Sequence, residues 1–296
     1  MYHGIHAVLY ALFQQDERID PEAIRAQVTH CVAHGCDGIT VLGLATEVLK
    51  LSFAERRQMI EIVGAALGGA RPYSVTIAGN SVAEQSEMAR IAAANGADWL
   101  ILQPPLAGNY DAEVYLDFLA RVAQSTDLPV ALQNAPQYLG RGLSAQDIAS
   151  LRSRCPNLAA IKAEDGAETL APLVAAGDGL AVLGGRGGQE LIACLQAGAT
   201  GFVLAPDIAP VAGRILAHWQ AGRIDDAQRL YAAATPAIDF AMQSLEHLIA
   251  YGKRIFAEQA GLPVHDRAPA LVPTPADLER ARHWAATLAD LEQPEM

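Results

Sequence analysis

Short runs rich in β-branched residues and leucine alternate along this chain with longer segments whose apolar residues recur at helical spacing. That alternation predicts parallel strands joined by crossover helices. The strand candidates are residues 5–12, 38–42, 73–78, 99–103, 129–133, 158–162, 180–183 and 201–204. Eight is the number at which such a sheet closes into an α/β barrel of the (β/α)8 (TIM) type. Helix starts are marked between the strands. Asp20-Pro21 puts proline at a first helical position, Ser52 to Glu55 and Ser81 to Glu84 have the capping-box form, and Asp111 and Ser144 can cap two more helices.

Beyond residue 204 the helical periodicity continues through 211–219, 224–256 and 278–288, more than one barrel needs. These extra C-terminal helices are expected to pack on the side of the barrel, with the Pro-rich stretch 268–275 as the linker to the last of them. The expected organisation is a barrel core over 1–210 and a last barrel helix plus helical segment over 211–296, forming a single structural unit. An open doubly wound sheet shares the alternation, but no GxGxxG follows the first strand. The run Gly184-Gly185-Arg186-Gly187-Gly188 falls instead after the seventh strand. There it is either a place where backbone amides approach an anion at the barrel mouth or a plain tight turn.

With 296 residues, 51% hydrophobic and 18% charged, the chain can bury a large core, a size routine for one barrel and an appended segment. A formal charge of −12 would repel a phosphate backbone, so nucleic acid is not an expected partner. No uninterrupted apolar run reaches the ~18 residues of a membrane span, and the start lacks the basic flank and cleavage site of a signal peptide. A cytoplasmic protein with no membrane contact is expected. Cys31, Cys36, Cys155 and Cys194 show no CxxC spacing and read as reduced, packed thiols. His3 and His6 have HxxH spacing, but the other strand ends lack the further ligands a catalytic metal needs, so neither metal nor cofactor is expected.

The residue that changes the picture is Lys162, at the end of the sixth strand candidate in Leu158-Ala-Ala-Ile-Lys162-Ala-Glu-Asp165. Barrel enzymes assemble their sites at the C-terminal ends of strands, and a desolvated amine there can stay neutral enough to attack a carbonyl. A structural ion pair with Glu164 or Asp165 is the alternative. Glu164 lies two residues on, so a continuing strand would turn both side chains the same way. Its carboxylate would either relay protons beside an imine or serve in a salt bridge that positions Lys162 or Arg186. Arg186 can clasp an anion bidentately, or face solvent. Loops 43–47, 76–80 and 133–136 follow strands two, three and five and should face the same mouth. Glu47 reads as structural, accepting loop amide hydrogens, and Tyr10 as core packing.

Read together, Gly43-Leu-Ala-Thr-Glu47, Thr76-Ile-Ala-Gly-Asn80, Gln133-Asn-Ala-Pro136, Ile161-Lys-Ala-Glu-Asp-Gly166 and the segments 197–210 and 247–263 resemble the dihydrodipicolinate synthase and N-acetylneuraminate lyase family. The resemblance covers nearly the whole chain. It implies a class I, Schiff-base lyase on a (β/α)8 barrel, without a cofactor, assembled as a homotetramer (dimer of dimers), with Lys162 as the Schiff-base residue. It also implies that the 2-oxo acid carboxylate is held at residues 43–47. The chain departs from the family pattern in places. Leu44 and Ala45 stand where the family has relay hydroxyls, and Gln133 stands where it has a proton-transferring tyrosine. An amide cannot exchange a proton at neutral pH, so Gln133 can only orient groups by hydrogen bonds. Tyr138 replaces an arginine for a second carboxylate, and Ala107 an aromatic that reaches a neighbouring subunit.

The expected activity is therefore an aldolase or dehydratase on a small 2-oxo acid or 2-oxo-3-deoxy sugar acid. Lys162, Gln133 and Glu164 are its expected catalytic positions. Leu44, Ala45, Thr46, Gly185, Arg186, Val203 and Tyr138 are its expected substrate-binding positions. A catalytically silent barrel that binds a small acid, or a condensation of the dihydrodipicolinate synthase kind, are the alternatives.

Overall fold

The computed structural model describes residues 2–176 and 179–293, so residues 294–296 of the expected C-terminal segment lie outside it. Strands β1 (Gly4–Val8), β2 (Gly38–Val41), β3 (Tyr73–Ile77), β4 (Trp99–Leu102), β5 (Val130–Asn134), β6 (Leu158–Ala163), β7 (Ala181–Gly184) and β8 (Gly201–Leu204) pair in chain order, all parallel. β8 returns to pair with β1, in register Gly4 to Gly201 and Ala7 to Leu204. This closure excludes the open sheet. Helices follow each strand, from Pro21–Ala33 after β1 to Ala209–Gln220 after β8. Helices outside and filled layers inside leave nearly every strand residue buried, which is why the strands read as apolar runs rather than alternating ones.

The caps follow the sequence with two exceptions. Asp20 accepts from the amides of Glu22 and Ala23, and Ser52 and Ser144 complete capping boxes. Ser81 accepts from Glu84 N, but the Glu84 carboxylate turns to the amide of Asn80 instead of closing the box. Asp111 stands at its N-cap without a side-chain bond. β1 ends at Val8, short of residue 12, because the buried Gln27 side chain takes over both backbone groups of Tyr10. It accepts from Tyr10 N at 2.8 Å and donates to Tyr10 O at 3.0 Å. β6 runs past Lys162 to Ala163, and a register shift at Val130/Ala131 sets Gln133 beside Lys162.

The last helix, Pro275–Glu292, buries Ala281, Ala285 and Leu288 and packs chiefly on Lys253–Ala260, with further contacts to Ile224–Ala241 and to the barrel helix Ala209–Gln220. Residues 262–274 carry no regular structure, and the Pro-rich stretch ends at Pro275, which opens the last helix. The segment Leu245–Gly252 behaves differently from the expectation. It crosses the C-terminal mouth, where Leu245 and Leu248 stand beside Lys162. Its second part, Leu248–Gly252, is a π-helical turn. Gly252 is required there, since a Cβ would fall 2.5 Å from Tyr10 Oη and 2.7 Å from Leu248 Cδ1. The Tyr10 hydroxyl in turn donates to Asp207 Oδ1 at 2.8 Å, so the residue assigned to core packing also carries a buried hydrogen bond. No described helix is long and apolar enough to cross a membrane.

Burial pushes the Asp207 carboxyl from 3.8 up to about 6, against the opposing bond from Tyr10. A carboxyl raised in the folded state contributes stability that is complete below its unfolded value and is lost as pH rises through the folded one. We expect Asp207→Asn to remove this dependence. Measured by urea unfolding, the stability of the variant relative to wild type should rise by about 2 to 3 kcal/mol between pH 4 and pH 7.5. A difference that stays constant across that range would show that Asp207 is not held protonated.

Candidate active site

Lys162 is the penultimate residue of β6 and is 5% exposed. The amide of Glu164 donates to Asn134 O at 3.0 Å, extending the ladder one step beyond the strand. Lys162 and Glu164 therefore project to the same side, into the barrel mouth. The Glu164 carboxylate, 4% exposed, forms an ion pair with Lys162 Nζ and accepts from Gln133 Nε2 at 3.0 Å. Gln133 Oε1 accepts from Gln103 Nε2 at 2.7 Å. Gln85 Nε2 anchors the β4 end by donating to Gln103 O and Gly79 O at 3.0 and 2.9 Å. Gln137 Nε2 donates to the Glu164 carbonyl. An ammonium, a carboxylate and two amides thus form one hydrogen-bonded row across the ends of β6, β5 and β4. Gly185 lies against it, since a Cβ there would meet Glu164 Cγ at 2.7 Å.

The loop after β2 faces this row. Thr46 N donates to Gly43 O at 3.0 Å and Glu47 N to Leu44 O at 2.9 Å. The amides of Leu44 and Ala45, at the start of this short helical turn, have no acceptor among the described residues. They are the donors the loop can offer to a carboxylate. The Thr46 hydroxyl is turned away, donating to Leu9 O at 2.6 Å. Glu47 does more than accept loop amides: its buried carboxylate pairs with Lys253 and, at 2.7 Å, with Lys50. Burial pushes the Lys253 ammonium below its ordinary value, and Glu47 opposes that shift. Among the described residues, the non-glycine residues with positive φ are Glu17, Leu42, Glu47, Arg186 and Glu190. All but Glu17 flank the mouth, so backbone strain is concentrated in the loops after β2 and β7.

In the loop after β7, Arg186 Nη1 donates to Glu190 Oε1 at 3.0 Å, and its guanidinium is partly in solvent. Glu190 Oε2 also accepts from Ala167 N at 3.0 Å. Gly187, at φ +60, lets the loop close on Met242, whose Sδ would lie 2.2 Å from an added Cβ. Burial, and secondarily the charge of Glu164, push the Tyr138 hydroxyl above its ordinary value.

These elements enclose a cavity of about 40 Å3 lined by Val8, Leu44, Ala45, Tyr138, Lys162, Glu164, Arg186, Gly187, Val203, Ala205, Met242, Leu245 and Leu248. The structure thus brings Lys162, Glu164, Leu44, Ala45, Arg186, Val203 and Tyr138 onto one cavity, with Gln133 and Gly185 touching Glu164 from behind. Thr46 lies outside the lining. Sequence reasoning missed Met242, Leu245 and Leu248, whose helical periodicity reads the same on a flank as over a mouth. It also missed Gln103, although Leu102-Gln103 closes β4 as Leu132-Gln133 nears the end of β5. His6 packs its ring edge-on to Trp99, with its Nε2 by His3 O, in the N-terminal half of the barrel and away from this mouth. Among the described residues no group of three His, Cys, Asp or Glu could hold a metal ion, and the four cysteines are buried and free.

Chemically, the row can hold a lysine amine against a carboxylate that accepts or returns its proton, opposite two amides suited to an anion. The chain is similar to known proteins over most of its length. The dihydrodipicolinate synthetase family model matches residues 1–289. A 4-hydroxy-tetrahydrodipicolinate synthase of Synechococcus sp. (strain CC9902) is 30% identical over 260 residues, 85% of this chain and 80% of that protein. A second, from Haloarcula marismortui, is 30% identical over 165 residues, 56% of this chain and 53% of that protein's length. Among solved structures, YagE, a prophage protein belonging to the dihydrodipicolinic acid synthase family from E. coli K12 and solved in complex with pyruvate, superposes with a TM-score of 0.88. It shares 21% identity over 98% of this chain and 99% of its own, which shows a common fold.

Removing Lys253 leaves the buried Glu47 carboxylate with Lys50 as its remaining cation and without its charge-assisted bond to the fully buried ammonium, so Lys253→Met should destabilise the protein by about 1.5–3 kcal/mol in urea unfolding. The double variant Glu47→Gln/Lys253→Met should recover part of that loss. A single variant within about 0.5 kcal/mol of wild type would mean that the pair does not hold the loop.

Proposed function

This chain belongs to the dihydrodipicolinate synthetase family, and from that premise we propose that it is a class I lyase, an aldolase or dehydratase, acting on a 2-oxo acid through an imine at Lys162. One observation carries the reading: a lysine amine buried inside a closed barrel, in direct contact with a carboxylate and across a cavity from two unused amides. The amides of Leu44 and Ala45 hold the substrate carboxylate. The Lys162 ammonium gives its proton to Glu164, and the neutral amine adds to the C2 carbonyl. Glu164 returns the proton to the departing hydroxyl, so water leaves and the imine forms. The imine then draws electrons from the bond at C3, which permits cleavage or loss of a hydroxyl.

Glu164 is the proton carrier in place of the family tyrosine, and Gln133 positions it, because a carboxamide donates a hydrogen bond without surrendering a proton. The curated relatives are named as synthases. The replacement of both relay hydroxyls and of the second carboxylate's arginine favours cleavage or dehydration over that condensation. We read the assembly as a homotetramer, in keeping with the exposed apolar residues Leu106, Tyr110 and Val114, which a second copy would cover. Buried free thiols fit a reducing, cytoplasmic setting.

Borohydride reduction in the presence of pyruvate should add pyruvate's reduced three-carbon unit to Lys162, read by peptide mass spectrometry, and Lys162→Ala should give none. Glu164→Gln should still trap an adduct while kcat falls by about 10²–10⁴-fold. Trapping at a different lysine, or full turnover in the glutamine variant, would refute the assignment of these roles.

A further inference from the structure

We propose that the substrate is a 4-hydroxy-2-oxo acid whose far end is an apolar, uncharged group such as an aromatic ring, and that this end lodges in a groove beyond Leu44 and Leu245. The inference rests on the Schiff-base reading of Lys162 and adds the class of substituent.

The cavity at Lys162, about 40 Å3, has room for little more than the reacting carbons. Leu44 and Leu245 belong to its wall and also to the wall of a second space of about 340 Å3, bounded further by Val48, Ile249, Pro269 and Leu271. The partition between the two is apolar, since Leu245 packs on the small cluster formed by Leu44, Ala135 and Leu139. The side chains of that partition, Leu44 and Leu245, carry no polar atom, so no side-chain hydrogen bond separates the two spaces.

Polar groups at the groove are already engaged. Glu47 is held by Lys253 and Lys50, Asp266 by Arg254 at 2.6 Å, and Glu246 by hydrogen bonds from its own backbone and from Ser244. The cation on the Lys162 cavity besides Lys162 itself, Arg186, is paired with Glu190. A second carboxylate would meet Glu164, Glu47, Glu246 and Asp266, and the one cation among the described residues of the groove wall, Lys50, is already paired with Glu47 at 2.7 Å. A polyhydroxylated chain would press its hydroxyls on leucine, isoleucine and proline without partners. An apolar group instead removes its own surface and that of the groove from water. Leu44 and Ala45, where the family carries hydroxyls, extend the same apolar wall to the reaction centre.

In the cleavage direction Lys162 forms the imine at C2 with loss of water, and the C4 hydroxyl gives its proton to Glu164. The C3–C4 bond breaks, its electron pair passes into the enamine, and the apolar aldehyde leaves. C3 of the enamine takes that proton from Glu164, restoring the carboxylate, and water hydrolyses the imine to pyruvate and free Lys162.

The test runs the reverse reaction, offering pyruvate with either benzaldehyde or glyceraldehyde to the full-length protein, with borohydride trapping in parallel. Benzaldehyde should be consumed with a kcat/KM at least about 100-fold above glyceraldehyde. Leu271→Asp, at a wall residue 42% exposed, should lower the benzaldehyde value about tenfold and leave the pyruvate adduct on Lys162 intact. An adduct accompanied by a preference for glyceraldehyde, by consumption of neither aldehyde, or by an unchanged Leu271→Asp overturns this inference alone. Absence of any adduct overturns the Schiff-base reading and this inference with it.

Discussion

A lysine ammonium and a glutamate carboxylate buried side by side at the mouth of a closed barrel set the terms for everything around them. Neither charge is tolerable alone out of water, and a buried pair repays its desolvation only when its remaining hydrogen-bonding capacity is met. Gln133 meets that of Glu164, Gln103 meets that of Gln133, and Gln85 fixes the strand end that presents Gln103. The row exists because β4, β5 and β6 are neighbouring parallel strands whose C-terminal ends lie side by side, and because the shift at Val130/Ala131 puts Gln133 opposite Lys162. The cooperative strengthening expected of such a chain makes its members a unit rather than independent contacts.

A second buried pair, Glu47 with Lys253, does a different job with the same physics. It ties the strained loop after β2 to the C-terminal helix Lys253–Ala260, and Gly252 just before it lets the π-helical turn close on Tyr10 and Asp207. The C-terminal segment is thereby held over the mouth, where Leu245 and Leu248 form part of the cavity wall. Backbone strain at Leu42 and Glu47 costs about 1–3 kcal/mol per residue and persists only where surrounding contacts over-determine the geometry. Here the buried ion pair and the Thr46 bond to Leu9 are those contacts.

How much of this was legible in the sequence divides along physical lines. Strands buried on both faces must be apolar throughout, so all eight could be found, and Lys162 stood out as a charge at the end of such a run. Strand ends were less visible, because what stopped β1 was a side chain from the following helix, Gln27, that no local pattern announces. The pairing of Gln133 with Lys162 depended on a bulge, and the Lys253 partner of Glu47 lay 206 residues away. The hydroxyl of Thr46 looked available and proved to be bound to backbone, since sequence records a donor without its acceptor. The roof over the site was hidden because an amphipathic helix shows the same periodicity against any apolar surface.

The substitutions that mark this chain make sense as one change. Hydroxyl relays need water or further hydroxyls around them to stay satisfied, whereas Leu44, Ala45, Val203 and Leu248 offer none. Tyr138 and Arg186 also line this cavity, and the two-residue step from Lys162 to Glu164 sets a carboxylate beside the amine on the same side of the chain. A glutamine at the fifth strand then fits better than a tyrosine would. It donates to that carboxylate through Nε2, and it keeps its single amide oxygen, Oε1, bonded to Gln103 rather than to solvent. The carboxylate and its amide support depend on each other, since removing either would leave a buried polar atom of the other without that partner.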